Sequence, residues 1–174
     1  MAVKQILTEP NKFLRQVSKP VEKVGDEERK LMDDMLDTMY AAPGIGLAAI
    51  QIGIPKRIIV MDISRDENKK EPLYFVNPVI KNKNENKSRY EEGCLSVPDQ
   101  FAEIERPKTC EVEYLDYYGK KQILKAEGLL ATCIQHEIDH LEGILFIDYL
   151  SKLKKSMIVK KLSKQKKSLE RIVV

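Results

Sequence analysis

Two histidines, His136 and His140, constrain this chain more than any other feature, and they are the only two among its 174 residues. An α-helix turns about 100° per residue, so side chains four positions apart leave the same face, one turn above the other. Apolar residues around the pair recur with helical spacing, which predicts a helix over residues 128–141. The fold must therefore bury part of a helix that presents two imidazoles on one face.

The same segment has the H-E-x-x-H arrangement, because Glu137 follows the first histidine. Two imidazoles one turn apart can bind one metal ion, and the neighbouring carboxylate can act as a general base. A five-residue match also arises by chance, so an exposed helical face rich in polar residues is the alternative. Catalytic metal sites commonly have three protein ligands and a position open for water, which leaves one ligand to be found.

Cys94 is the best candidate for the missing ligand. It follows Gly93 within residues 91–98 and stands outside any amphipathic pattern. Its thiolate suits Zn²⁺ or Fe²⁺, although a free cysteine can also be a small buried hydrophobic residue. A Cys-His-His set with an open position predicts a catalytic site, since a structural site normally closes with four protein ligands.

Composition limits the cellular setting and the partners. Three cysteines without regular spacing argue against a disulfide framework, and Cys110 and Cys133 are expected to be small buried side chains. The 30 basic and 27 acidic residues are too balanced to require a nucleic-acid partner. No apolar run is long enough to cross a membrane, and the N-terminus lacks a signal-peptide pattern. We therefore expect a cytoplasmic protein that binds neither DNA nor a membrane.

The order of predicted elements is typical of an α+β fold, with antiparallel or mixed β-sheets packed around the histidine-bearing helix. The other expected elements are an N-terminal helix capped by Asp26 and ending near 42–44, strands over 57–63 and 73–80, a sheet edge or bend at Pro78, a charged loop over 81–88, a hairpin over 111–125, and a C-terminal helix from near Ser151.

We expect a single domain over residues 1–174, with a catalytic core over 1–150 and a lysine-rich helix over 151–174. The helix has eight lysines between residues 152 and 167. Its thin apolar stripe consists of Leu153, Met157, Ile158, Leu162 and Leu169.

A third segment, Gly-Ile-Gly-Leu-Ala-Ala-Ile-Gln over residues 44–51, has small residues that let another backbone approach closely, and Gln51 offers an amide donor. By itself this segment predicts only a glycine turn entering a strand. It is not a phosphate loop, because no Lys-Ser or Lys-Thr pair follows the glycines.

Together, residues 44–51, 92–96 and 135–140 resemble, in order and approximate spacing, the three motifs of peptide deformylases. The resemblance extends through the strand that begins at Arg57, through Asn77-Pro78, and through residues 148–151 before the last helix. It covers nearly the whole chain.

The resemblance implies a hydrolase that removes the N-formyl group from the initiator methionine of nascent polypeptides and releases formate. Cys94, His136 and His140 would hold Fe²⁺, for which Zn²⁺ or Ni²⁺ can substitute, with water as the fourth ligand. Glu137 would carry the proton to the departing amine. The Gln51 side-chain amide and the Leu95 backbone N–H would stabilise the negative oxygen that forms on attack.

The resemblance also suggests how the substrate binds. An extended peptide would pair with the backbone at Ile45, Gly46 and Gly93, a form of strand addition. Its methionine side chain would enter a pocket whose walls we expect to be Ile45, Leu129, Thr132 and Cys133. Phe101 stands where many family members have an arginine, which leaves the contacts beyond the first residue open.

Several alternatives remain open at this point. The lysine-rich helix is either a solvated face or a surface that docks on the ribosome. The H-E-x-x-H motif also fits a zinc endopeptidase, although such enzymes use a carboxylate or a histidine as third ligand, which favours deformylase. A non-enzymatic metal-dependent structural or RNA-binding module is the third possibility.

Overall fold

The computed structural model describes residues 2–64 and 66–173, with side chains up to residue 167. The side chain of Leu169 therefore lies outside the described part. Helices α1, α2 and α3 span Asp26–Ala41, Gly128–Leu141 and Lys152–Val173, which confirms the three predicted helices. The prediction that Asp26 caps α1 was wrong: Gly25 precedes the helix, and its N–H donates to the Glu28 carboxylate.

The strands within the described ranges form two antiparallel sheets. Their bounds are β1 Gly46–Ala48, β2 Ile58–Met61, β3 Leu73–Lys83, β4 Lys87–Cys94, β5 Val97–Pro107, β6 Thr109–Leu115 and β7 Lys121–Glu127. One sheet has the order β1-β2-β3-β6-β7, and the other pairs β4 with β5. The predicted α+β class and the predicted hairpin, now β6 and β7, are confirmed.

Two predictions about the strands concern β3 and the segment after it. The predicted sheet edge or bend at Pro78 is confirmed, because β2 pairs with β3 only as far as Val76 and the register with β6 shifts between Val76 and Val79. The charged loop predicted over residues 81–88 is much shorter, because β3 runs to Lys83 and β4 begins at Lys87. Polar side chains are compatible with strands here because these strand ends are exposed to solvent.

The five-stranded sheet separates two layers of the core. Successive residues of a strand face opposite sides of the sheet. Ile59 and Met61 of β2 accordingly pack with Ile134 of α2, whereas Ile58 packs with Met35 of α1. Helix α2 is therefore central, and ten of its fourteen residues are buried, including both histidines.

A third apolar cluster attaches α3 to the two-stranded sheet. Leu162 of α3 packs with Val97 and Ile104 of β5 and with Phe146, which lies in the short helical turn Phe146–Tyr149. Of the helices in the described ranges, none is both long enough and apolar enough to span a membrane.

Candidate metal centre and active site

Two segments that are distant in sequence, the end of β4 and α2, meet at the candidate metal site. Cys94 comes from the last position of β4, and His136 and His140 come from α2. One donor atom from each of these three residues lies within 4.8 Å of the others. His140 is fully buried and His136 is 8% exposed, so the packing of α2 holds both imidazoles in place. The structure brings together the three residues that the sequence predicted as ligands.

The two imidazoles have different electrostatic surroundings. Burial alone would lower the pKa of His136, but hydrogen bonds with Cys94 and Glu92 raise its pKa well above the usual value. Burial, reinforced by the charge on His136, lowers the pKa of His140, which favours the neutral form that a metal ligand needs. A thiol and two imidazole nitrogens meet here, and this donor chemistry fits a transition-metal ion.

Glu137 lies beside the donors without joining them. Burial is the main reason why its pKa is raised from 4.5 to about 7. Its Oε2 atom is buried and has no hydrogen-bond partner among the residues that the structure describes. Gly46 of β1 makes room for the carboxylate, because a Cβ at this position would lie 2.7 Å from Glu137 Oε1. The glycine of one motif and the glutamate of another are therefore packed against each other.

Gln51 is buried, and its amide has a defined orientation. Its Oε1 accepts a hydrogen bond of 2.9 Å from the Ala48 N–H. Its Nε2 is consequently turned toward the metal centre, where it donates to Ser96 Oγ at 3.0 Å and lies 3.6 Å from Cys94 Sγ. An amide N–H held in this direction can donate to an oxygen that binds next to the thiol.

One cavity of about 500 Å³ joins these groups. Cys94, His136, Glu137 and Gln51 line it, and the fully buried His140 has its donor atom within 4.8 Å of those of Cys94 and His136. The remaining residues that the sequence predicted for catalysis or substrate binding also line this cavity, namely Ile45, Gly46, Gly93, Leu95, Leu129, Thr132 and Cys133. Phe101 lines it as well.

The other cysteines behave as the sequence predicted. All three cysteines are free, and Cys110 and Cys133 are buried. Burial raises the pKa of both thiols, and that of Cys133 is raised further by the nearby Glu137 carboxylate. Cys133 also lines the cavity, so its thiol serves as a small apolar wall.

The sequence did not reveal a chain of charged side chains behind His136. The His136 Nδ1 atom lies 2.9 Å from Glu92 Oε1, which leaves Nε2 free for coordination. Arg106 donates to both Glu92 oxygens, at 2.7 and 3.0 Å, and to Asp139 at 2.8 Å. The Tyr149 hydroxyl donates to Asp139 at 2.7 Å. The only available signal was Glu92, two residues before Cys94 on the same strand.

The hydrogen bonds among Glu92, His136 and Arg106 shift the pKa values of these side chains. Burial would raise the pKa of Glu92, but hydrogen bonds from His136 and Arg106 lower it, so the carboxylate stays ionised. Arg106 is 4% exposed and lies over the Tyr149 ring, 5.0 Å from its centroid. The chain of contacts fixes the orientation of the His136 ring.

A candidate Cys-His-His metal site beside a cavity, with a buried carboxylate next to it, is typical of metal-dependent hydrolases. The model of the family described as polypeptide deformylase matches residues 3–156. The chain belongs to the polypeptide deformylase family.

The chain is also similar to individual members of this family. A peptide deformylase from Pelagibacter ubique is 84% identical over 174 residues, which cover 100% of both sequences. A solved structure of a peptide deformylase from Legionella pneumophila has a TM-score of 0.90 and 45% identity, and the match covers 98% of this chain and 99% of that chain. A peptide deformylase from Ehrlichia chaffeensis in complex with actinonin has a TM-score of 0.89 and 47% identity, with 95% and 98% covered.

The protein is therefore a metal-dependent hydrolase that removes the formyl group from nascent polypeptides. The resemblance predicted from the three motifs is confirmed. The endopeptidase and the non-enzymatic module are set aside by the same family assignment.

Proposed function

We propose that Cys94, His136 and His140 hold one Fe²⁺ ion and that Zn²⁺ or Ni²⁺ can replace it. A thiolate and two imidazoles are ligands that suit all three ions. The observation that carries the proposal is that the three donors lie together and that two of them, Cys94 and His136, line one cavity with Glu137 and Gln51. When bound, the ion would supply Lewis acidity and lower the pKa of a coordinated water.

Glu137 is the proton carrier in this proposal. It takes a proton from the attacking water and delivers it to the nitrogen of the methionine as the bond to the formyl carbon breaks. A pKa raised to about 7 suits both steps, because each protonation state is accessible near neutral pH. The products are formate and a free methionine amine.

The Gln51 side chain and the Leu95 backbone N–H stabilise the developing oxyanion. The Ala48 N–H already donates a hydrogen bond to the Gln51 side-chain oxygen, so the amide nitrogen faces the site before substrate arrives. Donors that are oriented in advance need no reorganisation during the reaction, which is why they lower the barrier.

The formyl-methionine side chain enters the cavity between Leu129, Thr132, Cys133 and Ile45. The peptide backbone pairs with Ile45, Gly46 and Gly93, which all line the cavity; Gly46 begins β1 directly after Ile45, and Gly93 is in β4. Gly93 has no side chain to obstruct this pairing.

An assay of formate release tests the proposal. The protein loaded anaerobically with Fe²⁺ is expected to release formate from formyl-Met-Ala-Ser and to leave internal peptide bonds intact. Chelation should abolish release, and Fe²⁺, Zn²⁺ or Ni²⁺ should restore it, because the three ligands suit each ion. Internal cleavage of the peptide, or full activity in chelator, would contradict the assignment.

We also propose that the enzyme works in the cytoplasm and that α3 docks on the ribosome. Seven of the eight lysines between residues 152 and 167 are exposed, which gives the helix a basic surface that fits ribosomal RNA. The eighth, Lys155, pairs with Asp148 at 2.7 Å. Nascent formylated chains emerge at the ribosome, so docking would bring the cavity close to its substrate.

Ribosome pelleting at low and at physiological salt tests this docking. The triple variant Lys160→Glu, Lys164→Glu and Lys167→Glu is expected to lose binding, most clearly at low salt, because phosphate contacts are electrostatic. The matched control carries the same charge change at Lys83, Lys87 and Lys121, which are exposed on the strands. Equal pelleting of both triple variants would contradict the docking proposal.

A further inference from the structure

A bulge in β5 forms one wall of the active-site cavity. The pairing of β4 with β5 is irregular beside Cys94, where Gly93 alone lies opposite residues 98–101. Asp99 within the bulge has a φ of 62°, in the left-handed region that non-glycine residues rarely adopt. All four residues of the bulge line the cavity.

Phe101 ends this bulge and is unusually exposed for a phenylalanine, at 65%. Its ring nevertheless packs closely on Gly93, because a Cβ on that glycine would lie 2.6 Å from the Phe101 Cε1 atom. Phe101 also lines a second groove, of about 700 Å³, between β5 and α3. The cavity and the groove therefore adjoin at Phe101 and its neighbour Gln100, which line both.

One face of α3 forms the far side of this groove. It consists of Lys154, Met157, Ile158 and Lys161, which have the i, i+3, i+4, i+7 spacing of residues on a single helical face. Met157 is 62% exposed at the centre, and the two lysines flank it. Flexible methionine side chains with charged neighbours are common on surfaces that bind varied peptides.

We infer that this groove, between Phe101 and the Met157 face of α3, binds the residues of the formylated polypeptide that follow the initiator methionine. The inference rests on the proposed function of the cavity. A nascent polypeptide is longer than the cavity, so its chain must leave across the surface, and the groove adjoins the cavity at Gln100 and Phe101. Apolar side chains of the substrate contact Phe101 and Met157, and acidic side chains pair with Lys154 or Lys161. The enzyme then favours formylated chains that carry an apolar residue followed by an acidic one.

Two formylated heptapeptides test the preference. One is formyl-Met-Ala-Ser-Leu-Phe-Asp-Glu, and the other is formyl-Met-Ala-Ser-Gly-Ser-Asn-Gln, which has the same length but lacks apolar and acidic residues. The first is expected to have a KM about fivefold lower, since burial of one or two apolar groups is worth that factor. The kcat should be equal for both, because this binding is the same in the ground state and the transition state.

Matched variants locate the effect on α3. Met157→Lys is expected to remove the KM difference between the heptapeptides, because it places a charge in the apolar centre. Leu153→Lys is the control, since Leu153 is 72% exposed on the same helix and does not line the groove. Lys161→Glu should weaken binding of the acidic heptapeptide more than Lys160→Glu, whose side chain lies outside the groove.

Three outcomes would overturn the inference. They are equal KM values for the two heptapeptides, equal effects of Met157→Lys and Leu153→Lys, and loss of ribosome pelleting in Met157→Lys with unchanged peptide kinetics. The last outcome would assign the groove to the ribosome. Failure of the proposed function would be distinct, because formyl-Met-Ala-Ser would then release no formate with any variant.

Discussion

Glu137→Gln is expected to lower kcat for formyl-Met-Ala-Ser by about 10²–10⁴-fold, the usual contribution of a general acid–base group. Glutamine has nearly the same shape, so the packing against Gly46 is retained. It cannot accept the proton of the attacking water, however, nor deliver one to the amine. Formate release at saturating substrate measures the loss, with metal content determined on the same samples.

The thermal stability of Glu137→Gln shows whether the loss of kcat comes from lost proton transfer or from a damaged fold. Burial raises the Glu137 pKa from 4.5 to about 7. Ionisation of this carboxylate therefore lowers the free energy of unfolding as the pH rises through this range, and the full loss is present at pH 8. The metal-free glutamine variant should therefore melt no lower than the parent at pH 8. Glu127→Gln is the matched control, since Glu127 is exposed next to the start of the same helix. A loss of kcat smaller than tenfold, with metal retained, would exclude Glu137 as the proton carrier.

Local periodicity explains why much of the fold was predictable. The α2 helix repeats its apolar residues within fourteen positions, and the β6–β7 hairpin has alternation on both sides of a glycine turn. The strand β4 begins with exposed charged residues, which resemble a loop until their partner strand is known. Its pairing with β5 depends on residues up to twenty positions away, which no local pattern contains.

The residues of the site also differ in how far the sequence alone could reveal them. Cys94, the histidines and Gln51 lie in short motifs, so their chemistry could be predicted before their positions were known. Arg106 could not be identified, because it looks like any charged residue in a strand that alternates between polar and apolar positions. Its role exists only because the fold buries it between Glu92 and Asp139.

Glu92→Ala is expected to weaken both the fold and the metal centre. Arg106 would remain buried with only part of its charge compensated, and removing one partner of a buried ion pair typically costs about 3–5 kcal/mol. His136 would also lose the acceptor that orients its ring, which typically lowers metal affinity by about 10–100-fold. Denaturant unfolding of the metal-free protein and Zn²⁺ titration against a competing chelator measure the two effects separately.

Two further variants distinguish this buried network from an ordinary ion pair. Glu105→Ala removes a pair of the same length on the neighbouring strand, where Arg89 lies 2.7 Å from Glu105 but both side chains are exposed. It should change neither unfolding nor Zn²⁺ affinity, since exposed pairs contribute little. Glu92→Gln keeps an acceptor for His136 and should retain more affinity than Glu92→Ala. If the alanine variants at 92 and 105 behave alike, the buried contacts do not position His136, and packing of α2 alone must hold the ring.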